Sequence, residues 1–141
     1  MRDQNKIRSN CAISNGLEIL GDRWTLLIVR DLMFTNRREF SHFLKAGEGI
    51  STNILSDRLE KLQCFGIISK QPHPEHGKKF IYDLTEQGLK LAPTLLEFML
   101  WSYETQQNSF IPPKILDLLQ KDRKKLVELI NQRKCLEMQF F

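Results

Sequence analysis

The amino-acid sequence predicts a mainly α-helical fold with one small β-hairpin (α+β), and three observations predict it. Apolar residues recur at helical spacing through most of the 141 positions. The period changes to two only around residues 67–84, where two strand-like runs flank the loop PHPEHGK. Just before that change, two short helical patterns are joined by a glycine-containing turn, the helix-turn-helix arrangement.

Each element follows from its residues. Residues 12–20 place Ile13, Leu17 and Leu20 at i, i+4 and i+7, an amphipathic helix ended by Gly21. Asp22 is a suitable N-cap for a second helix, RWTLLIVRDLMF, whose apolar residues cover so much of its circumference that it is expected to be central and buried. Trp24 in it reads as core. RREFSHFLKAG gives a helix of two to three turns through Phe40, Phe43 and Leu44, opened by Arg37 and Arg38 and closed by glycines. In EGISTNILSDRLEKLQCFGI, Ser51 caps a helix of about 51–65 with Leu55, Leu59 and Leu62 as its core stripe and Gly66 as its stop.

The runs IISKQ and KFIYDL then read as a hairpin, and a hairpin directly after a helix-turn-helix is a wing, here about 67–84. Thr85 caps a long helix over 86–107, apolar on more than one side, so one side packs on the domain and the other calls for a partner such as a second copy. IPPK breaks the chain, and Pro113 opens a last amphipathic helix over about 113–136. The expected organisation is a winged helix-turn-helix domain over 1–111 with dimerisation helices at about 12–21 and 86–107, followed by a helical extension over 112–141.

Composition narrows the function. An apolar share of 41% and a charged share of 27% are those of an ordinary globular protein. No run approaches the ~18 apolar residues of a membrane span, and the polar start MRDQNKIRSN has no signal-peptide core, so a cytoplasmic location is expected. Cys11, Cys64 and Cys135 are odd in number and widely spaced, which fits neither a disulfide framework nor a zinc pattern. Of the net charge of +4, residues 36–80 supply most, with eight basic and five acidic side chains. A basic excess over the helix-turn-helix and wing permits nucleic-acid binding.

Four strings carry a resemblance. LEILGDRWTLLIVRDLMF downstream of a cysteine, RREFSHFL, GISTNILSDRLEKL-x(3)-GII and YDLTEQGLKLAPTLLEFMLW together resemble the HxlR-type family of bacterial transcriptional regulators, relatives of the MarR-like proteins. The match covers about residues 11–103 and fades beyond Tyr103. The resemblance implies a cytoplasmic homodimer on operator DNA, with dimer contacts from the first helix and from the long helix after the wing. Ile13, Leu17, Leu95, Phe98, Met99 and Trp101 are the candidates for that interface.

On this reading the helix after Ser51 is a recognition helix, which presents its N-terminal residues to base edges of double-stranded DNA in the major groove. Asn53 and Arg58 are the candidates for base contacts, since Asn pairs bidentately with adenine and Arg with guanine. Ser51, Thr52 and Ser56 suit bases or phosphates, Lys61 flanks them, and Arg37 and Arg38 would hold the backbone. The plainer alternative is a solvated face on which Ser51 caps and Arg58 pairs with neighbouring carboxylates. In the wing, His76, Lys78 and Lys79 suit a minor-groove or phosphate contact. Cys11 precedes the first helix, near its positive end and three residues after Arg8, a setting that favours thiolate. A cysteine here is common in the resembling family, and some members use it to sense oxidants or electrophiles. The plainer reading is a small apolar residue at an interface.

Other chemistry has little support. His73, Glu75 and His76 sit on a Pro-rich loop with no fourth ligand nearby in sequence, His42 reads as a surface residue, and no catalytic or phosphate-binding pattern occurs. No metal, cofactor or enzymatic activity is expected. Two rival functions remain. One is a winged-helix module that binds protein, which would expose an apolar patch at the recognition tip where Ile54 is the one apolar residue. The other is a variant of the regulator that senses a small molecule in a pocket beneath the long helix, lined by Trp24, Phe98 or Trp101, although those aromatics are more simply core.

Overall fold

A computed structural model describes residues 7–133 of the chain. The element order is α1 (Ala12–Leu20), α2 (Arg23–Phe34), α3 (Phe40–Leu44), α4 (Thr52–Cys64), β1 (Ile68–Pro72), β2 (Phe80–Leu84), α5 (Glu86–Leu89), α6 (Ala92–Thr105), α7 (Pro113–Lys121) and α8 (Arg123–Asn131). This is a winged helix-turn-helix: α3 and α4 form the motif, and β1 and β2 form the wing.

The core is one cluster built around α2. Val29, Leu32 and Phe34 of α2 are fully enclosed among Leu55, Leu59 and Leu62 of α4, Leu84 of β2 and Leu96 of α6. The leucine stripe of α4 therefore faces inward, and its small polar side faces out. Trp24 is half-buried and lies under the Arg23 guanidinium, 5.4 Å from the ring centroid.

The wing is fixed to the end of the recognition helix. Ile68 pairs with Leu84 and Lys70 with Tyr82 in an antiparallel register. Gly66 turns the chain out of α4 at φ +72°, a conformation open to glycine. Thr85 closes the other side: its hydroxyl donates to the Gly66 carbonyl oxygen at 2.5 Å, and its N–H donates to that of Ile67 at 3.0 Å. Gly88 permits this close approach, because a Cβ there would stand 2.3 Å from the Ile67 carbonyl oxygen. The Tyr82 N–H donates to the Arg38 carbonyl oxygen at 2.8 Å, which draws the segment before α3 alongside the wing.

Four expectations need correction. The helix over 86–107 is two helices, α5 and α6, because Pro93 has no N–H for the Leu89 carbonyl and its ring crowds that turn. The last helix likewise divides at Asp122, whose backbone (φ −148°, ψ 68°) leaves the helical region while its carboxylate accepts from the Lys125 N–H at 3.1 Å. Its expected end near 136 lies outside the described residues. The helix of the RREFSHFLKAG segment is one short turn, so Arg37 and Arg38 precede it and do not open it. Leu95, expected at a dimer interface, is only 6% exposed and belongs to the protomer core.

The extension from residue 112 shares that core. Ile115, Leu119, Leu126 and Ile130 are buried in the same cluster as α2 and α4, and α8 packs on α6. Arg133 anchors its end to the wing, with its guanidinium donating to the Asp83 carboxylate and the Leu84 carbonyl oxygen.

Candidate nucleic-acid interface

The N-terminal tip of α4 is exposed and short in side chain. Ser51 caps the helix, its hydroxyl accepting from the Ile54 N–H at 3.3 Å. Thr52, Asn53 and Ser56 are exposed, and none of their side chains hydrogen-bonds to another described residue. Their donors and acceptors point to solvent at the positive end of a helix, where an anionic or polar ligand is favoured.

Arg58 and Lys61 are placed differently. The Arg58 Nε donates to Asp22 Oδ1 at 2.9 Å, and another guanidinium nitrogen pairs with Asp57. Lys61 Nζ lies 3.7 Å from the second oxygen of Asp22. Asp22 also caps α2, accepting from the Trp24 and Thr25 N–H groups at 2.9 and 3.1 Å and from the Thr25 hydroxyl at 2.5 Å. Burial works against its charged form, but the bonds from Thr25, Arg58 and the two N–H groups prevail and bring its pKa from 3.8 down to about 2.

A second charged cluster braces the motif from beneath. Asp31 is nearly fully buried on α2, and burial pushes its carboxyl above the usual range against the pull of Arg30 and Arg37. Arg30 donates to Asp31 from Nε and Nη2 at 3.0 and 2.9 Å and bridges on to Glu48 in the α3–α4 turn. Arg37 Nη1 also donates to Asp31, at 2.9 Å. Arg38 donates to the Thr35 and Arg37 carbonyl oxygens at 3.0 and 2.8 Å and lies 3.9 Å from Asp83. Both arginines predicted for DNA backbone thus have partners within the protein. Asp31, Arg30 and Glu48 escaped the sequence reading, although a carboxylate within the apolar run LIVRDLMF was a signal that cations must surround it.

Glu39 holds the wing. Its carboxylate lies 3.3 Å from His73 Nε2 and 3.7 Å from Lys79 Nζ. His73 Nδ1 accepts from the Glu75 N–H at 3.1 Å. The His76 ring lies tilted against that of His73, with ring centroids 4.8 Å apart. Lys78 is exposed and has no ion pair among the described residues.

The remaining candidates lie elsewhere. Cys11 is exposed at the N-cap of α1, and Arg8 is engaged by Glu18 at 2.9 Å. Cys64 is exposed at the end of α4, and Cys135 lies outside the described residues. No residue of α1 is buried, and Leu17 is 57% exposed with Ile13 still more open. Phe98 and Trp101 of α6 are 58% and 56% exposed, with stacked rings 6.0 Å apart, while Met99 is half-buried against the core. No helix among the described residues is long and apolar enough to cross a membrane.

Fold and tip together define a winged helix-turn-helix protein of the MarR-like kind. More narrowly, the chain belongs to the HxlR-like helix-turn-helix family, whose profile matches residues 19–110. The Bacillus subtilis HTH-type transcriptional regulator YvaP is 36% identical over 95 residues, 67% of this chain and 87% of that protein. The Synechocystis HTH-type regulator sll1512 is 34% identical over 86 residues, 61% of this chain, and the match spans only 63% of that relative's length. The reduced form of the Bacillus subtilis transcriptional regulator YodB superposes with a TM-score of 0.57 at 28% identity, covering 70% of this chain and 97% of YodB. YodB also has quinone-bound and diamide-treated structures.

Proposed function

We propose that the protein is a sequence-specific DNA-binding transcriptional regulator that acts as a homodimer on a pseudo-palindromic operator. The observation that carries this reading is the tip of α4, where Thr52, Asn53 and Ser56 stand exposed, without side-chain hydrogen bonds among the described residues, above a buried leucine stripe. Asn53 reads a base edge, Thr52 and Ser56 contact bases or phosphates, and Ser51 offers its capped helix end to phosphate. Lys78 at the wing, with His76 and Lys79 beside it, meets the backbone or minor groove. Arg37 and Arg38 add positive potential from their braced positions.

The test is selection of binding duplexes from a random-sequence pool, followed by mobility-shift titration of the winner against a scrambled duplex. A regulator yields one preferred inverted repeat, and its affinity falls steeply with salt. Asn53→Ala should cost about 1–3 kcal/mol of preference for the selected duplex, with scrambled binding unchanged. A pool that yields no preferred sequence would sink the reading in favour of a protein-binding winged helix.

A second reading concerns the signal. Cys11 is exposed at a helix N-cap, and the relative YodB is known in quinone-bound and diamide-treated forms. On this reading Cys11 makes binding responsive to thiol oxidants. Diamide should abolish the specific shift of the native protein, reductant should restore it, and Cys11→Ser should be indifferent. A shift that resists diamide would discard the redox role and keep the regulator.

A further inference from the structure

Asp22 does more than an N-cap requires. Ser, Thr or Asn would satisfy the Trp24 and Thr25 N–H groups equally well. What a neutral cap lacks is the charge that here holds two cations from 36 and 39 positions downstream, Arg58 at 2.9 Å and Lys61 at 3.7 Å. Arg58 and Lys61 are three residues apart, so they share one flank of α4. The leucine stripe alone fixes which side of α4 is buried, but packed side chains tolerate some rotation. A second bonded flank, anchored on the end of the central helix, removes that freedom.

We propose that Asp22 is a positioning residue for DNA recognition: through Arg58 and Lys61 it sets the rotation of α4 that turns Asn53 and Ser56 toward the groove. The inference rests on the regulator reading above and assigns Arg58 to the protein side of the interface. Arg58 then acts on affinity by holding the helix, not by touching a base or phosphate.

The experiment is a double-mutant cycle on full-length protein. Native protein, Asp22→Asn, Arg58→Gln and the double variant are titrated with the selected and the scrambled duplex over a range of salt. Asp22→Asn keeps a capping oxygen, so circular dichroism should show the native helical content, and Arg58→Gln gives an independent arm that leaves the cap intact. Each single variant should lose roughly 10-fold in affinity for the selected duplex, and the double variant should lose no more than the worse single one, as expected of one coupled unit. Scrambled binding and the salt slope should stay at native values, since no phosphate contact is lost. Native affinity in Asp22→Asn, additive losses, or a salt slope lowered by about one in Arg58→Gln would overturn the proposal. A native protein without preference for the selected duplex would instead overturn the regulator reading, so the two failures are distinct.

Discussion

Asn53 and Arg58 show why side-chain roles are harder to read than elements. Both lie on the polar side of the same predicted helix, and both residue types are common readers of bases. Asn53 makes no side-chain hydrogen bond among the described residues, whereas Arg58 is taken by Asp22, a residue that the N-cap pattern had already explained. The cap was legible because it acts over three residues; the long-range pair was not, since nothing local marks it. Asp22 also carries a pH signature. Its folded pKa is depressed from 3.8 to about 2, so its stabilising contribution is complete above pH ~4 and is lost as pH falls through the folded value. At neutral pH that contribution amounts to about 1 kcal/mol relative to the uncharged acid, once solvent screening of the part-exposed carboxylate is allowed for. Urea unfolding of native and Asp22→Asn protein should therefore differ at pH 7 and converge toward pH 2. A gap that persists unchanged at pH 2 would assign the stabilisation to something other than the charge.

The helices were legible where periodicity and caps agree, as in α2 with Asp22 and α4 with Ser51 and Gly66. Breaks were missed where an apolar pattern runs on through a residue that cannot stay helical. Pro93 interrupts the path from Thr85 to Thr105, and Asp122 prefers to start a helix over continuing one. The extension is the larger lesson among the elements. Its stripe of Ile115, Leu119, Leu126 and Ile130 was visible in the sequence, but periodicity cannot say which surface a stripe covers. In the structure it completes the core of the domain and reaches the base of the wing through Arg133. Leu126 is fully buried on α8, outside the stretch that the family profile matches. Leu126→Ala should therefore destabilise the whole domain by about 2–5 kcal/mol in a single cooperative urea transition, as cavity formation in a shared core demands. A separate early transition with the rest intact would show that α7 and α8 are an independent appendage.

For the whole molecule, the surface left over after folding points to its assembly. An amphipathic helix normally hides its apolar stripe in its own domain. Here α1 has no fully buried residue, packs Ile19 partly against the core and turns Ile13 and Leu17 outward, while α6 keeps Leu95 and Leu96 inside and leaves Phe98 and Trp101 in solvent. The sequence foresaw an apolar character on more than one side of the residue 86–107 region, but the region is two helices and Leu95 lies inside the protomer. If two copies bury these side chains against each other, two recognition helices are carried in fixed relation, and a pseudo-palindrome with half-sites ~34 Å apart is the matching DNA. Joining two half-site contacts makes the second binding step intramolecular, worth about 10²–10⁴ in affinity without any new contact to DNA. The double variant Leu17→Asp/Trp101→Asp isolates that gain, because neither side chain belongs to the buried core. It should sediment as a monomer at ~10 µM with native helical content, keep its affinity for a single half-site, and lose the 10²–10⁴ advantage on the full operator. Continued dimerisation would place the interface elsewhere. A monomer that loses half-site affinity as well would mean that these side chains hold the reading head itself, and dimerisation would then no longer explain the exposed apolar residues.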